Sequence, residues 1–446
     1  MPRMDAELPE ITEKPGSPSR QGIAIGLAVL LTLPGLALRL TGTHPVEWLA
    51  AVLFGVAVVG AAFLLAWGAE VLELDVSQGL SIALLALIAV LPEYAVDFAF
   101  TWKAGTNPDK YAPLALANMT GGNRLLIGVG WSMVVLLAAW RLKSIAKERK
   151  QPPPEDLGVT LGRSNSVGIA FLVIATVYSL TLPLKRSITI VDAVVLIAIF
   201  AAYMVRVARA PAGDPHLVGP PQLIGRLPKT RRRVVVAVML AFAAGVILAA
   251  AEPFAESLVT TGETFGISTF LLVQWLAPLA SEAPELLVAG LFAWRLNTEA
   301  GLGALVSSKV NQWTLLVGSL PIVFMIASSS LHGLPIDALQ REELFLTAAQ
   351  SAFAVAVLAN LTLSVKEAFL LLGLFLSQFV LGAVLPDGIH EIERIAVGIL
   401  YLVLAAVILT RERVAMRQLL QDGLRTPVAE LVSPRDEPGL RAGELA

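Results

Sequence analysis

Long apolar stretches constrain this chain more than any other feature of its sequence. A helix of about 20 apolar residues spans the roughly 30 Å hydrocarbon layer of a bilayer, where the backbone must satisfy its own hydrogen bonds. The sequence therefore predicts an all-α integral membrane protein. About twelve transmembrane helices are predicted, at 22–41, 47–72, 79–102, 112–140, 166–183, 188–207, 234–260, 266–294, 301–327, 343–364, 367–385 and 391–410.

The composition agrees with a membrane protein and narrows the chemistry. Of the 446 residues, 56% are hydrophobic and 15% are charged, whereas soluble domains carry about 25% charged residues. The net charge of -2 gives no reason to expect nucleic acid as a partner. With 0 Cys and 4 His, a metal site would be built from oxygen ligands, which favours hard cations such as Ca²⁺, Na⁺ or Mg²⁺.

Basic residues predict the orientation in the membrane. Lys and Arg concentrate between the fourth and fifth predicted helices, between the sixth and seventh, and after the twelfth. In a twelve-helix protein these segments lie on the same side as the N-terminus, and the positive-inside rule makes that side cytoplasmic. We therefore predict a multi-pass protein of the cytoplasmic (cell) membrane with both termini in the cytoplasm.

A Pro-Glu pair occurs twice, in the third and eighth predicted helices. The segments 91–103 and 283–295 align without gaps, and Pro, Glu, Val, Phe and Trp coincide. The eighth helix comes five positions after the third, and this odd offset means that the two halves would be inserted in opposite orientations. We therefore predict two inverted five-helix repeats, 47–207 and 234–385, as in many secondary transporters, whose substrate site lies at the repeat interface.

The remaining segments frame the two repeats. We expect a disordered N-terminus and an additional helix before the first repeat, a cytoplasmic linker between the repeats, and an additional helix and a cytoplasmic tail after the second. The tail is expected to be disordered beyond its basic start. The boundaries are 1–21, 22–41, 208–233, 391–410 and 411–446, in that order.

The glutamates of the two pairs are the candidate metal ligands. An ionisable side chain within a membrane helix costs at least ~2.5 kcal/mol and indicates a functional site. Each proline would open its helix and free carbonyl oxygens beside Glu93 or Glu285. Together the two carboxylates could bind a divalent cation, and one would hold a proton when the cation is absent. Alternatively, they make buried structural hydrogen bonds and the prolines only kink the helices.

The helix after each Pro-Glu helix is the second candidate contributor to a cation site. Asn118 and Asn123 lie in the first of these helices, and Ser308 and Asn311 in the second. Their side chains could supply polar ligands or orient the carboxylates. The alternative is that these residues serve close helix packing and interhelical hydrogen bonding.

Three charged residues in the same helices could tune the charge of the site. If buried, Arg124 and Lys309 could neutralise Glu93 and Glu285, or stand where a sodium ion would sit; near a helix end they could extend to the interface. Asp97 lies one turn after Glu93 and shares its face. Its repeat partner is an alanine, which favours a secondary role.

On these residues the chain resembles the calcium/cation antiporter superfamily, which includes the sodium/calcium exchanger membrane proteins. That family combines two inverted five-helix repeats, each with a Pro-Glu helix followed by a helix of Gly-Asn-x-x-Gly-Ser-Asn type. Residues 117–123 are similar to this motif with substitutions, and 306–311 match it poorly. The resemblance implies exchange of Ca²⁺ against Na⁺ or H⁺ with Glu93 and Glu285 as central ligands.

The predicted function is secondary active cation antiport by alternating access, with Ca²⁺ exchanged for Na⁺ as the first hypothesis. No cofactor is expected, and the partners are inorganic cations and the lipid bilayer. A proton-coupled or monovalent-cation exchanger is the nearest alternative, and a cation channel would need a continuous polar path. An intramembrane aspartyl protease is disfavoured because both acids are Glu, follow Pro and are duplicated without a nucleophile or metal motif.

Overall fold

The computed structural model describes residues 18–43, 45–72, 74–75, 91–152, 154, 156–209, 217, 219–384 and 389–431, with the backbone alone for 382–384. The first half contains α1 Pro18–Thr41, α2 Glu47–Leu72, α3 Leu91–Ala104, α4 Pro108–Leu125, α5 Ser132–Glu148, α6 Ser166–Ser179 and α7 Ile190–Val207. The second half contains α8 Pro220–Gly225, α9 Lys229–Phe265, α10 Thr269–Trp294, α11 Thr298–Asn311, α12 Val317–Ser328, α13 Ala338–Val357, α14 Val365–Val384, α15 His390–Arg411, α16 Arg413–Leu424 and α17 Val428–Leu431.

The all-α membrane class predicted from the sequence is confirmed. Among the described residues, 10 helices, some of them joined from two labelled segments, are long and apolar enough to cross a membrane. Two predicted spans lie outside this set. Of the span at 79–102 only the part from Leu91 onward is described, as α3, and the span at 367–385 coincides with α14. The count is thus consistent with about twelve.

The two predicted repeats contain the same elements in the same order. In each, a long helix (α2 or α9) precedes a Pro-Glu helix (α3 or α10), and the next helix contains a π-helical segment. This segment is Leu126–Trp131 between α4 and α5, and Gln312–Leu316 between α11 and α12. Even the helix caps correspond: the side-chain oxygens of Asn107 and Asn297 accept bonds from the first-turn N–H groups of α4 and α11, as N-cap residues do.

Two short strand pairs connect the repeats. Strand β1 (Val159–Thr160) precedes α6 and pairs antiparallel with β4 (Thr362–Leu363), which follows α13. Conversely, β3 (Leu334–Pro335) precedes α13 and pairs antiparallel with β2 (Ser187–Ile188), which follows α6. The loops around these two equivalent helices thus satisfy each other's backbone groups.

The apolar interior has two parts, and the Pro-Glu helices lie between them. One hydrophobic cluster joins α1, α2 and α9, with Val58 and Ile247 fully buried. The larger cluster joins α5–α7 with α11–α15 and contains Trp131 and Trp313, which lie in the two π-helical segments. Helices α3, α4 and α10 contribute side chains to both clusters, so their polar residues lie at the boundary.

At both ends the described residues are helical, and most of the residues expected to be disordered lie outside the described part of the chain. Residues 18–21 already belong to α1, while 1–17 lie outside the described residues. In the tail, α16 and α17 pack against the start of α6. The Arg163 guanidinium donates to the Asp422 carboxylate at 3.1–3.2 Å, and Arg206 donates to the carbonyl of Gly423 at 3.0 Å. These tertiary contacts, rather than local propensity, order the segment to Leu431.

Candidate functional site

Four helices, two from each repeat, gather the predicted polar residues. Glu93 and Asp97 lie on α3, and Asn118 and Asn123 on α4; Glu285 lies on α10, and Ser308, Lys309 and Asn311 on α11. Most of these side chains are buried, while Glu285 and Ser308 are half-buried. All of the predicted site residues lie on these helices.

The two predicted glutamates meet through a third carboxyl group. The carboxyl of Glu282 interacts electrostatically with those of Glu93 and Glu285, which also interact with each other. Glu282 precedes Glu285 by three positions and so shares its helix face. Glu282 is not among the residues predicted from the sequence, because the duplicated Pro-Glu pair was the signal and Val90 occupies the equivalent position in the first repeat.

Polar neighbours on α11 and in the following π-helical segment orient these carboxyl groups. The Ser308 hydroxyl donates to Glu285 Oε2 at 2.9 Å; its role as a ligand or as an orienting group stays a prediction. Gln312 Nε2 donates to Glu282 Oε1 at 2.6 Å. On α4, Gly122 faces Glu93: a Cβ atom there would lie 3.4 Å from Glu93 Oε1 and 3.8 Å from Gln312 Nε2.

Two more of the predicted ligands, Asn118 on α4 and Asn311 on α11, have different partners. Asn118 Nδ2 donates to Asp97 Oδ1 at 2.9 Å, so Asn118 orients Asp97 rather than Glu93. The Tyr94 hydroxyl donates to Asn311 Oδ1 at 3.1 Å, which connects the Pro-Glu helix of one repeat to the ligand helix of the other.

The two basic residues have different surroundings. Lys309 is fully buried and its Nζ donates to the backbone O and the side-chain Oδ1 of Asn123, at 2.7 and 2.6 Å. Arg124, 2% exposed, pairs with Glu343 at 2.7 Å and stacks 5.0 Å from the ring centre of Trp275. Arg124 therefore neutralises Glu343 on α13 instead of Glu93 or Glu285, and neither basic residue extends to the membrane interface.

Several buried oxygens in this cluster are available for a ligand. Among the described residues, no hydrogen-bond partner is found for Glu93 Oε1, Glu282 Oε2, Asp97 Oδ2, Asn118 Oδ1 and Gln312 Oε1. A buried acceptor without a partner costs about 1–3 kcal/mol, and carboxylate and amide oxygens are the ligands that hard cations prefer. The described part of the chain contains no group of three acidic or imidazole side chains spaced to hold a metal ion.

The backbone near the site differs from the expectation. Pro284 was expected to open its helix, but α10 continues from Thr269 to Trp294 through both Pro278 and Pro284. A proline inside a helix removes one N–H donor without necessarily ending the helix. Irregular backbone occurs instead three residues after Asn123 and directly after Asn311, where the π-helical segments begin. Such segments are frequent at functional sites.

A multi-pass helical protein that gathers carboxyl groups from two repeated halves has the architecture of a cation exchanger. The family described as sodium/calcium exchanger protein matches residues 46–208 and 235–383. The chain therefore belongs to this family, whose members exchange Ca²⁺ and other cations as secondary transporters.

Solved structures agree with the family assignment. The crystal structure of the H⁺/Ca²⁺ exchanger CAX is similar with 40% sequence identity and a TM-score of 0.83, and the match covers 92% of this chain and 99% of that one. The Ca²⁺/H⁺ antiporter protein YfkE matches with 14% identity and a TM-score of 0.56 over 80% of this chain and 97% of that one, which supports the fold alone. No curated protein matches in sequence.

Proposed function

We propose that the protein exchanges Ca²⁺ for protons across the cytoplasmic membrane, with Glu93, Glu282 and Glu285 as the groups that bind both ions in turn. The observation that carries this proposal is that these three carboxyl groups lie near enough to interact electrostatically in a buried site. Like charges that are shielded from water cannot all remain uncompensated. Either Ca²⁺ or two protons would supply the same positive charge, so each would displace the other.

Support also comes from the similarity to CAX, whose structure is described as that of an H⁺/Ca²⁺ exchanger and which is 40% identical to this chain. The Na⁺ coupling predicted from the sequence has no comparable support. It remains an alternative that the transport assay must test.

Alternating access would follow from the two-part interior. The site helices lie between the cluster around α1, α2 and α9 and the larger cluster, and packed helices can shift against one another by small sliding movements. Access to the site residues is unequal, because Glu285 and Ser308 are half-buried whereas Glu93 and Asn118 are buried. Ser308 lies in the first half of the span predicted at 301–327, whose N-terminal end is predicted to be cytoplasmic, so we propose that this conformation is accessible from the cytoplasm.

The test is ⁴⁵Ca²⁺ uptake into proteoliposomes of the purified protein with an outward proton gradient, an outward sodium gradient, or neither. We expect uptake with the proton gradient alone. Uptake that requires the sodium gradient would establish Na⁺ coupling, and equal uptake without any gradient of counter-ion would indicate a channel.

Amide variants test the site itself. Glu93→Gln and Glu285→Gln are expected to abolish uptake, because an amide keeps the shape of the side chain but cannot carry the exchanged charge. Glu282→Gln should reduce uptake strongly for the same reason. Glu263→Gln, at the exposed end of α9 where Glu263 pairs with Lys110 at 2.8 Å, is the matched control and should transport normally. Full activity of Glu93→Gln or Glu285→Gln would contradict the assignment.

A further inference from the structure

The ammonium group of Lys309 lies in an oxygen-lined position within the site. The Lys309 residue is 0% exposed. Its Nζ donates to the backbone O of Asn123 at 2.7 Å and to the Oδ1 of Asn123 at 2.6 Å. The ring centre of Trp313 lies 5.3 Å from Nζ. Both oxygens carry no formal charge, so the contact is that of a cation with neutral ligands rather than a salt bridge.

These ligands are held in place before the cation arrives. Asn123 Nδ2 donates to the carbonyl of Met119 at 2.9 Å, which fixes the amide so that its oxygen points at Lys309. The π-helical segment begins three residues later, at Leu126, and backbone carbonyls near helix irregularities coordinate Na⁺ in transporters of related build. An aromatic face adds attraction for any monovalent cation within about 6 Å.

The neighbouring basic residue does not compete for this role. Arg124 follows Asn123 directly, but its guanidinium pairs with Glu343 and contacts Trp275. Lys309 is therefore the basic side chain of α4 and α11 that faces the carboxyl cluster, where it interacts electrostatically with Glu93 and Glu282.

We infer that the position on Asn123 is a monovalent-cation site whose occupant is the protein's own Lys309 ammonium group. The lysine supplies its positive charge beside the carboxyl groups from a side chain that cannot be released with the cargo. A chain with this tethered cation has no need of bound Na⁺ or K⁺ at this position. Lys309 thus determines which counter-ion the exchanger uses, an inference that rests on the proposed exchange of Ca²⁺.

Shortening the side chain tests the inference, because it vacates the position while leaving the oxygens of Asn123. Lys309→Ser should transport Ca²⁺ only when Na⁺ or K⁺ is present, with uptake at least about fivefold above that in choline, as expected for coupling of 1–3 kcal/mol between two ligands. The wild-type rate should be the same in all three salts. Lys309→Met fills the position with an uncharged chain of similar length and should not respond to either ion.

Thermal stability in detergent provides a readout that does not require transport. Na⁺ or K⁺ should raise the melting temperature of Lys309→Ser but not that of the wild type or Lys309→Met. Lys103→Ser is the control for loss of a positive charge elsewhere, because Lys103 pairs with Glu252 and Glu256 at the end of α3, and it should remain insensitive to both ions.

The outcomes separate this inference from the proposed function. Absence of Ca²⁺ uptake by the wild type would refute the exchange reaction and leave the stability experiment decisive for Lys309. If Lys309→Ser shows no response to Na⁺ or K⁺ in stability or uptake, the inference is wrong. A variant that fails to fold in every salt also contradicts it, since a free ion should then replace the missing ammonium group.

Discussion

Gly121→Ala tests a close approach between the two repeats. A Cβ atom at Gly121 on α4 would lie 1.8 Å from the backbone oxygen of Gln274 on α10, whereas carbon and oxygen normally approach to about 3.3 Å. One added methyl group would therefore force the two helices apart by about 1.5 Å. Overpacking of this kind costs roughly 1–3 kcal/mol. Because α4 and α10 carry Asn123 and Glu285, a displacement of about 1 Å could reduce the transport rate about 100-fold.

The matched control is Gly373→Ala on α14, where no described atom lies within 4 Å of the added Cβ. Alanine favours a helix over glycine by up to about 1 kcal/mol, so this variant should be as stable as the wild type or more so, with normal transport. Melting temperature in detergent and ⁴⁵Ca²⁺ uptake in proteoliposomes measure both variants. Wild-type stability and uptake of Gly121→Ala would show that α4 and α10 are not in such close contact.

Two further predictions concern the face that is predicted to be cytoplasmic. Two arginines hold the pKa of Asp75 below its usual value. The larger effect comes from Arg232, which donates side-chain hydrogen bonds to Asp75 at 2.7 and 3.0 Å, and Arg233 adds to it. The resulting stabilisation is present above the unfolded pKa of about 3.9 and is lost as the pH falls through the lowered value. The melting temperatures of wild type and Asp75→Asn should therefore differ near neutral pH and converge in strong acid. An undiminished difference in strong acid would contradict this explanation. Asp422→Asn removes the ion pair with Arg163. It should speed tryptic cleavage within α16 roughly two- to fivefold, as expected for a loss of ~0.5–1 kcal/mol of local stability. Unchanged cleavage would show that other contacts hold α16 in place.

The sequence was sufficient to predict the fold where an apolar pattern extends over many consecutive residues. Apolar windows located the spans because lipid admits few alternatives to helices, and the observed helices begin and end within a few residues of most predicted ranges. The ordered tail was not predictable in this way. Its helix α16 depends on Arg163 and Arg206, which lie more than 200 positions earlier in the chain. The two-residue strands likewise depend on partners in the other repeat.

The glutamates of the candidate site could be predicted where they are duplicated in the two halves of the sequence. Glu93 and Glu285 were found because the Pro-Glu pair is duplicated, and the roles assigned to them remain proposals. Glu282 breaks the repeat and gave no such signal. A test of helical spacing would have found it, because it lies one turn before Glu285. The partner of Arg124 was beyond reach, since Glu343 lies on a helix whose contact with α4 is tertiary.

The two strand pairs that connect the repeats have a consequence for how the halves associate. In the first pair, the segment before α6 meets the segment after α13; in the second, the segment before α13 meets the segment after α6. A two-fold axis between identical subunits produces this reciprocity, since each contact is then made twice. The two halves of this single polypeptide thus bind each other as the subunits of an isologous dimer do.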